Sequence, residues 1–294
     1  MKTEIFRGVG TALVTPFQGG SIDYNALGAL IEEQISGGVA ALIIGGTTGE
    51  AATLSDGERY ALFERTKDMI GGRVRLIFGT GTNDTRLAIA HTRRAEKIGC
   101  DGVLLVTPYY NKGTREGLIR HYKGIAESTS LPIMLYNVPS RTGVDLDCEL
   151  VSELSGVDNI VAIKEASGRA GRLSELAATE GIALYAGNDA ETYEVLSLGG
   201  LGVVSVVSNL YPRDMAELCK LYFTKEYKKS LEIQKKLLPV INSLFIETNP
   251  APIKYAMAKR GIISPEMRLP MWLPTPLTQR KIDRAILDYE GRRI

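Results

Sequence analysis

Along this chain, apolar positions follow two alternating periods. Short unbroken runs such as Ala41-Leu42-Ile43-Ile44 and Gly102-Val103-Leu104-Leu105-Val106 have the length of strands. Between them lie longer stretches in which apolar residues recur three and four positions apart, as Leu27, Leu30, Ile31 and Ile35 do. The runs predict strands over 9–14, 41–44, 74–78, 102–106, 132–136, 159–164, 182–186 and 203–207. Each leads into a helical pattern: around Leu27, after a capping box formed by Ser55 and Glu58, over 83–98 and 116–128, around Leu150, over 173–179 and 191–198, and around Leu218. Several strands are apolar throughout, the mark of a parallel sheet covered on both faces. Eight strand–helix units in 294 residues predict an α/β fold, a (β/α)8 TIM barrel with a C-terminal helical extension. A doubly wound open sheet is the alternative, since pattern alone does not show closure.

After about Thr224 the strands stop. Leu237, Ile241 and Leu244 keep helical spacing, Pro250 and Pro252 break the chain, and a last amphipathic stretch carries Ile282 and Ile286. The expected organisation is a catalytic barrel over 1–224 and a helical domain over 225–294. No flexible linker separates them, so the second should dock on the first.

Composition narrows the function classes. Hydrophobic residues make up 44% and charged residues 23%, as in a soluble globular protein. The formal net charge is +1 without a basic run, so nothing points to nucleic acid or an anionic membrane surface. No apolar run reaches bilayer length. Charges interrupt the opening Met1-Lys2-Thr3-Glu4-Ile5-Phe6-Arg7, which predicts no leader peptide and a cytoplasmic location. Cys100, Cys148 and Cys219 are scattered and read as reduced thiols. His91 and His121 have no companion ligand nearby in sequence, so a metal centre is not expected.

In such a barrel the loops after the strands carry the chemistry. Thr47, Thr48, Tyr109, Tyr110, Tyr136, Arg141, Lys164 and Gly187 all fall at or just past strand ends and should share one rim. Gly199-Gly200 precedes a strand and reads as a helix C-cap on the opposite rim. Gly79-Thr80-Gly81 lacks the lysine of a phosphate loop and reads as a tight turn. Lys164 ends a strand of apolar residues, where lysine is rarely buried unless paired or used. Partial desolvation and a nearby cation both favour a neutral amine in such a place, and a neutral amine attacks carbonyls. The resulting imine supports aldol-type carbon–carbon bond formation without metal or organic cofactor. Tyr136 is a phenol suited to proton transfer, and Thr47 and Tyr110 could extend a hydroxyl chain from it. Arg141 suits a carboxylate by bidentate pairing. Taken singly, each of these residues has an ordinary structural account: a snorkelling lysine, a packing aromatic, a capping threonine, a surface arginine. Their shared rim favours function.

Four segments occur in the order and spacing of a known family: Gly45-Gly46-Thr47-Thr48-Gly49-Glu50, Thr107-Pro108-Tyr109-Tyr110-Asn111-Lys112, Tyr136-Asn137-Val138-Pro139-Ser140-Arg141-Thr142-Gly143 and Ile163-Lys164-Glu165-Ala166. From Phe6 to about Pro270 the chain resembles the dihydrodipicolinate synthases, also called 4-hydroxy-tetrahydrodipicolinate synthases. The resemblance implies condensation of pyruvate with L-aspartate 4-semialdehyde, with no cofactor beyond the covalent pyruvate imine. Lys164 would form the Schiff base, Tyr136 would move the proton, and Thr47 and Tyr110 would complete a relay. Thr48 and the backbone at Val204 would hold the pyruvate carboxylate, Gly187 would line the pocket, and Arg141 would take the semialdehyde carboxylate. The position of Tyr110 serves the adjacent subunit in this family, which implies a homo-oligomer, usually a homotetramer.

N-acetylneuraminate lyase shares the lysine, the tyrosine and the barrel but typically lacks the arginine, and it ranks second. A 2-keto-3-deoxy sugar acid aldolase ranks third. A non-catalytic keto-acid-binding regulator is the reading from another class, and the intact lysine, tyrosine and hydroxyl set argues against it. The chain departs from lysine-inhibited members in one respect. Asn83 and Tyr109 match their inhibitor site, but Asp56 and Arg59 replace histidines and Leu87 replaces a glutamate. Leu87 accepts no hydrogen bond and Arg59 repels an ammonium, so lysine inhibition should be weak or absent.

Overall fold

The structure, a computed structural model, describes residues 4–291. Met1–Thr3, on which the expectation of no leader peptide partly rests, and residues 292–294 of the expected helical domain lie outside the described residues. Eight parallel strands form the sheet: β1 (Gly8–Ala12), β2 (Ala41–Ile44), β3 (Arg75–Gly79), β4 (Gly102–Val106), β5 (Ile133–Asn137), β6 (Ile160–Glu165), β7 (Ala183–Ala186) and β8 (Gly202–Ser205). β1 pairs with β8 from Gly8↔Gly202 to Thr11↔Ser205 and with β2 on its other side, so the sheet closes into a barrel. That excludes the open-sheet alternative. The helices after the strands are α1 (Tyr24–Ser36), α2 (Asp56–Ile70), α3 (Thr85–Ile98), α4 (Arg115–Ala126), α5 (Cys148–Leu154), α6 (Arg172–Ala177), α7 (Thr192–Ser197) and α8 (Pro212–Phe223).

Two apolar layers follow from the alternation of side chains along each strand. One fills the barrel and includes Ile43, Met134, Ala162, Tyr185 and Val204. The other, between sheet and helices, includes Leu42, Leu135 and Ile163. The Ser55–Glu58 capping box opens α2 as expected. Gly199, with φ +87°, follows α7 on the rim away from the strand ends. The three cysteines are free, and burial pushes the thiols of Cys100 and Cys219 up to about 12.

The strand ends differ from the sequence reading where side chains take over the ladder. β1 stops at Ala12 because the Val14 N–H donates to Asn209 Oδ1 at 3.1 Å instead of to a strand. A two-residue hairpin, Phe17–Gln18 with Ser21–Ile22, then precedes α1. β8 stops at Ser205 because the Asp189 carboxylate accepts from the N–H groups of Val206 and Val207, which turns the chain into a short 3-10 segment, Val207–Asn209.

Beyond the barrel lie α9 (Tyr227–Ser243), α10 (Ala251–Lys259) and α11 (Pro276–Glu290). They dock by burial and by specific bonds. Ser230 Oγ donates to Leu218 O at 2.8 Å, and Lys254 reaches Glu50 across the barrel mouth. Among the described residues no helix is long and apolar enough to cross a membrane.

Candidate active site

Lys164 is the inward-facing residue at the end of β6, two positions past Ala162 in the barrel filling. Its neighbour in register on β5 is Tyr136. Adjacent parallel strands point paired residues to the same side, so the two side chains meet. Lys164 Nζ lies 4.0 Å from the centre of the Tyr136 ring. Both residues are only 6% exposed. Glu165 points the other way, is buried, and accepts from Asn137 Nδ2 at 3.0 Å and Ser167 N at 2.5 Å. The first of these bonds ties the end of β5 to that of β6, and the second turns the chain just past the lysine. Gly187, at the end of β7, is required by closeness: a Cβ there would lie 2.5 Å from Glu165 O and 2.6 Å from the Ala166 side chain.

A cavity of about 530 Å³ opens above Lys164. Thr47, Thr48, Tyr136, Arg141, Lys164 and Gly187 all border it. Six of the eight expected residues are therefore brought together. Val204 is not among them: it is buried in the barrel filling, and Val206, the next inward position past the strand, borders the cavity instead. Tyr110 is the other exception. It is 89% exposed, with φ +71°, on a loop that Asn83 and Asn111 stitch together by side-chain-to-carbonyl bonds. The left-handed backbone costs about 1–2 kcal/mol and turns the phenol outward, away from its own chain's cavity.

Arg141 sits on a one-turn helix, Pro139–Thr142, that the sequence had suggested only as a loop. Its Nη2 donates to Asn249 O at 2.8 Å, and the residue is exposed at the cavity mouth. Asp189 is fully buried near the floor and accepts from Ser205 Oγ at 2.5 Å and Val206 N at 2.9 Å. Burial raises its pKa, and its hydrogen bonds and the charge of Lys164 pull it back. A second cavity of about 350 Å³ shares Thr47, Tyr136 and Arg141 and extends toward Arg59, His91 and Tyr109. Burial lowers the Arg59 pKa, and burial and the Arg59 charge lower that of His91. Among the described residues no group of three or more His, Cys, Asp or Glu side chains is arranged to hold a metal ion.

The chain matches the model of the "Dihydrodipicolinate synthetase family" over residues 5–287. The chain belongs to this family. Curated relatives named 4-hydroxy-tetrahydrodipicolinate synthase include that of Thermotoga neapolitana, 44% identical over 98% of this chain and 99% of its own. Another, from Clostridium novyi, is 46% identical over 91% of each chain. The solved dihydrodipicolinate synthase of Thermotoga maritima superposes with a TM-score of 0.95 at 42% identity, covering 98% of this chain and 99% of that one. The chloride-inhibited synthase of Acinetobacter baumannii, solved with pyruvate, gives 0.94 at 39% identity, covering 97% and 99%. Membership of the dihydrodipicolinate synthetase family fits the barrel, the buried lysine–tyrosine pair and the arginine at the mouth.

Sequence reasoning missed Asn249, which borders both cavities, and the Glu50–Lys254 pair beside Thr48. The Asn249-Pro250-Ala251-Pro252 run signalled only a chain break, and Lys254 sat within an apolar helical pattern, where a buried cation was the available clue.

Proposed function

We propose that this chain condenses pyruvate with L-aspartate 4-semialdehyde to give 4-hydroxy-tetrahydrodipicolinate, the step that commits carbon to diaminopimelate and L-lysine. The observation that carries the reading is the buried Lys164 amine 4.0 Å from the Tyr136 ring on a cavity with Arg141 at its mouth. The Lys164 amine attacks the pyruvate keto carbon, and loss of water leaves an imine. Loss of a methyl proton gives the enamine, which adds to the aldehyde carbon and forms the new carbon–carbon bond. The amino group of the second substrate then attacks the imine carbon, closes the ring and releases Lys164. The chemistry draws on no metal or organic cofactor.

Tyr136 carries protons in and out, and Thr47 links it toward Tyr110 of a neighbouring copy. Thr48 and the backbone at Val204 hold the pyruvate carboxylate, Gly187 leaves room beside it, and Arg141 receives the semialdehyde carboxylate. The outward Tyr110 supports a homo-oligomer; the reading extends to a homotetramer built as a dimer of dimers, acting in the cytoplasm. The same reading divides the chain into a catalytic barrel, 1–224, and a C-terminal helical domain, 225–294. The test is a coupled assay with pyruvate and aspartate semialdehyde run beside N-acetylneuraminate cleavage. Turnover of the first pair alone is expected; turnover of the second substrate alone would reject the assignment.

A further inference from the structure

Asn249 ends the segment between α9 and α10 and is 7% exposed. Its side-chain Nδ2 donates to Thr48 Oγ1 at 2.9 Å. Its main-chain carbonyl accepts from Arg141 Nη2 at 2.8 Å. One residue of the C-terminal segment thus touches the threonine and the arginine that each receive a substrate carboxylate. Its place is fixed independently. Lys254, in the first turn of α10, is fully buried and donates to Glu50 Oε1 at 2.6 Å and to Thr15 O at 2.9 Å. Glu50 lies two residues past Thr48, so the same short segment grips this loop at two points.

The direction of the Asn249–Thr48 bond has a chemical consequence. A hydroxyl has one proton and two lone pairs. An amide N–H directed at Thr48 Oγ1 occupies a lone pair and offers that oxygen no acceptor, so the Thr48 proton must point elsewhere. Thr48 borders the cavity above Lys164, where the carboxylate of a keto acid presents acceptors only. We infer that Asn249 is a positioning residue that orients the Thr48 hydroxyl as a donor to the carboxylate of the keto acid. The inference rests on the proposed role of Thr48. A hydroxyl turned the other way would set a lone pair against the carboxylate and lose a charge-assisted bond. The Arg141 contact uses the main chain, so replacing the Asn249 side chain leaves it in place.

Steady-state kinetics of Asn249→Ala, Thr48→Val and the double variant test this. Asn249→Ala should raise the pyruvate KM about 10-fold, the size of one lost hydrogen bond to a charged group, with kcat and the aldehyde KM within about 2-fold of native. The double variant should be no worse than Thr48→Val, because the first change acts through the second residue. Should the alanine variant fail to fold, Asn249→Asp keeps the shape but removes the N–H, and its pyruvate KM increase should shrink when Thr48 is already Val. A pyruvate KM untouched by Asn249→Ala but raised by Thr48→Val would overturn the inference alone, as would effects that multiply in the double variant. A pyruvate KM untouched by Thr48→Val would reject the role of Thr48, and the inference with it, while leaving the synthase assay of the native protein unaffected.

Discussion

Single side chains divide the work at the barrel mouth. Lys164 and Tyr136 are buried against each other, whereas Arg141 is exposed and donates to the carbonyl of Asn249. The inner pair should govern what happens to the keto acid, and the outer arginine should govern the second substrate. Arg141→Leu is therefore expected to lower kcat/KM for the semialdehyde about 100-fold, a loss of about 3 kcal/mol, as for a charge-assisted bidentate bond. Reductive trapping of pyruvate on the same variant should proceed at the native level, and a matching loss of trapping would contradict this division. A second residue sets part of the acid stability. His121 is buried against Thr85, and burial holds its pKa at about 4. The unfolded ring takes its proton near 6.5, so the unfolded state binds more protons between those values. Stability should fall as pH drops through that window, by on the order of 3 kcal/mol, with the loss complete below about 4. Urea unfolding at several pH values should show a shallower loss for His121→Asn than for the native chain.

Among elements, the strand–helix alternation was readable because burial on both faces leaves unbroken apolar runs, as at Ala41–Ile44. The features not readable were those made by side chains far apart in sequence. The end of β8 depends on Asp189, the end of β1 on Asn209, and the Thr48 loop on Lys254 and Asn249. None leaves a periodic trace. Residues read at strand ends, such as Lys164 and Tyr136, do border the cavity; the Val204 side chain lies in the barrel filling, and a backbone role inferred from likeness does not say which side chain borders the cavity. Helix α2 carries a further consequence. The Arg59 guanidinium donates to Ala51 O at 2.9 Å and borders the second cavity, where a bound ammonium would meet it, and Leu87 on α3 is 48% exposed with no acceptor to offer. Activity should change by less than about 20% in about 1 mM L-lysine, given like-charge repulsion at short range. Strong inhibition below that concentration would show that Arg59 swings away.

For the whole molecule, Lys164 and Tyr136 sit at the ends of barrel strands, the segment between α9 and α10 bonds to Thr48 and Arg141 at the mouth, and Tyr110 faces outward. A site completed by a neighbouring copy makes a definite prediction. Lys164→Ala and Tyr110→Phe each impair activity alone. Mixed by unfolding and refolding together, they should recover about a quarter of the native sites, because half of randomly assorted pairs hold one intact site each. No recovery would mean that Tyr110 serves its own chain or none. The central claim is that Lys164 forms a covalent imine with the keto acid. The protein should be incubated with pyruvate, reduced with borohydride, digested and analysed by mass spectrometry. The reduced pyruvate adduct is expected on the peptide containing Lys164, and neither Lys164→Ala nor a sample without pyruvate should show it. A native protein that turns over both substrates yet carries no adduct, or carries it on another lysine, would contradict the account.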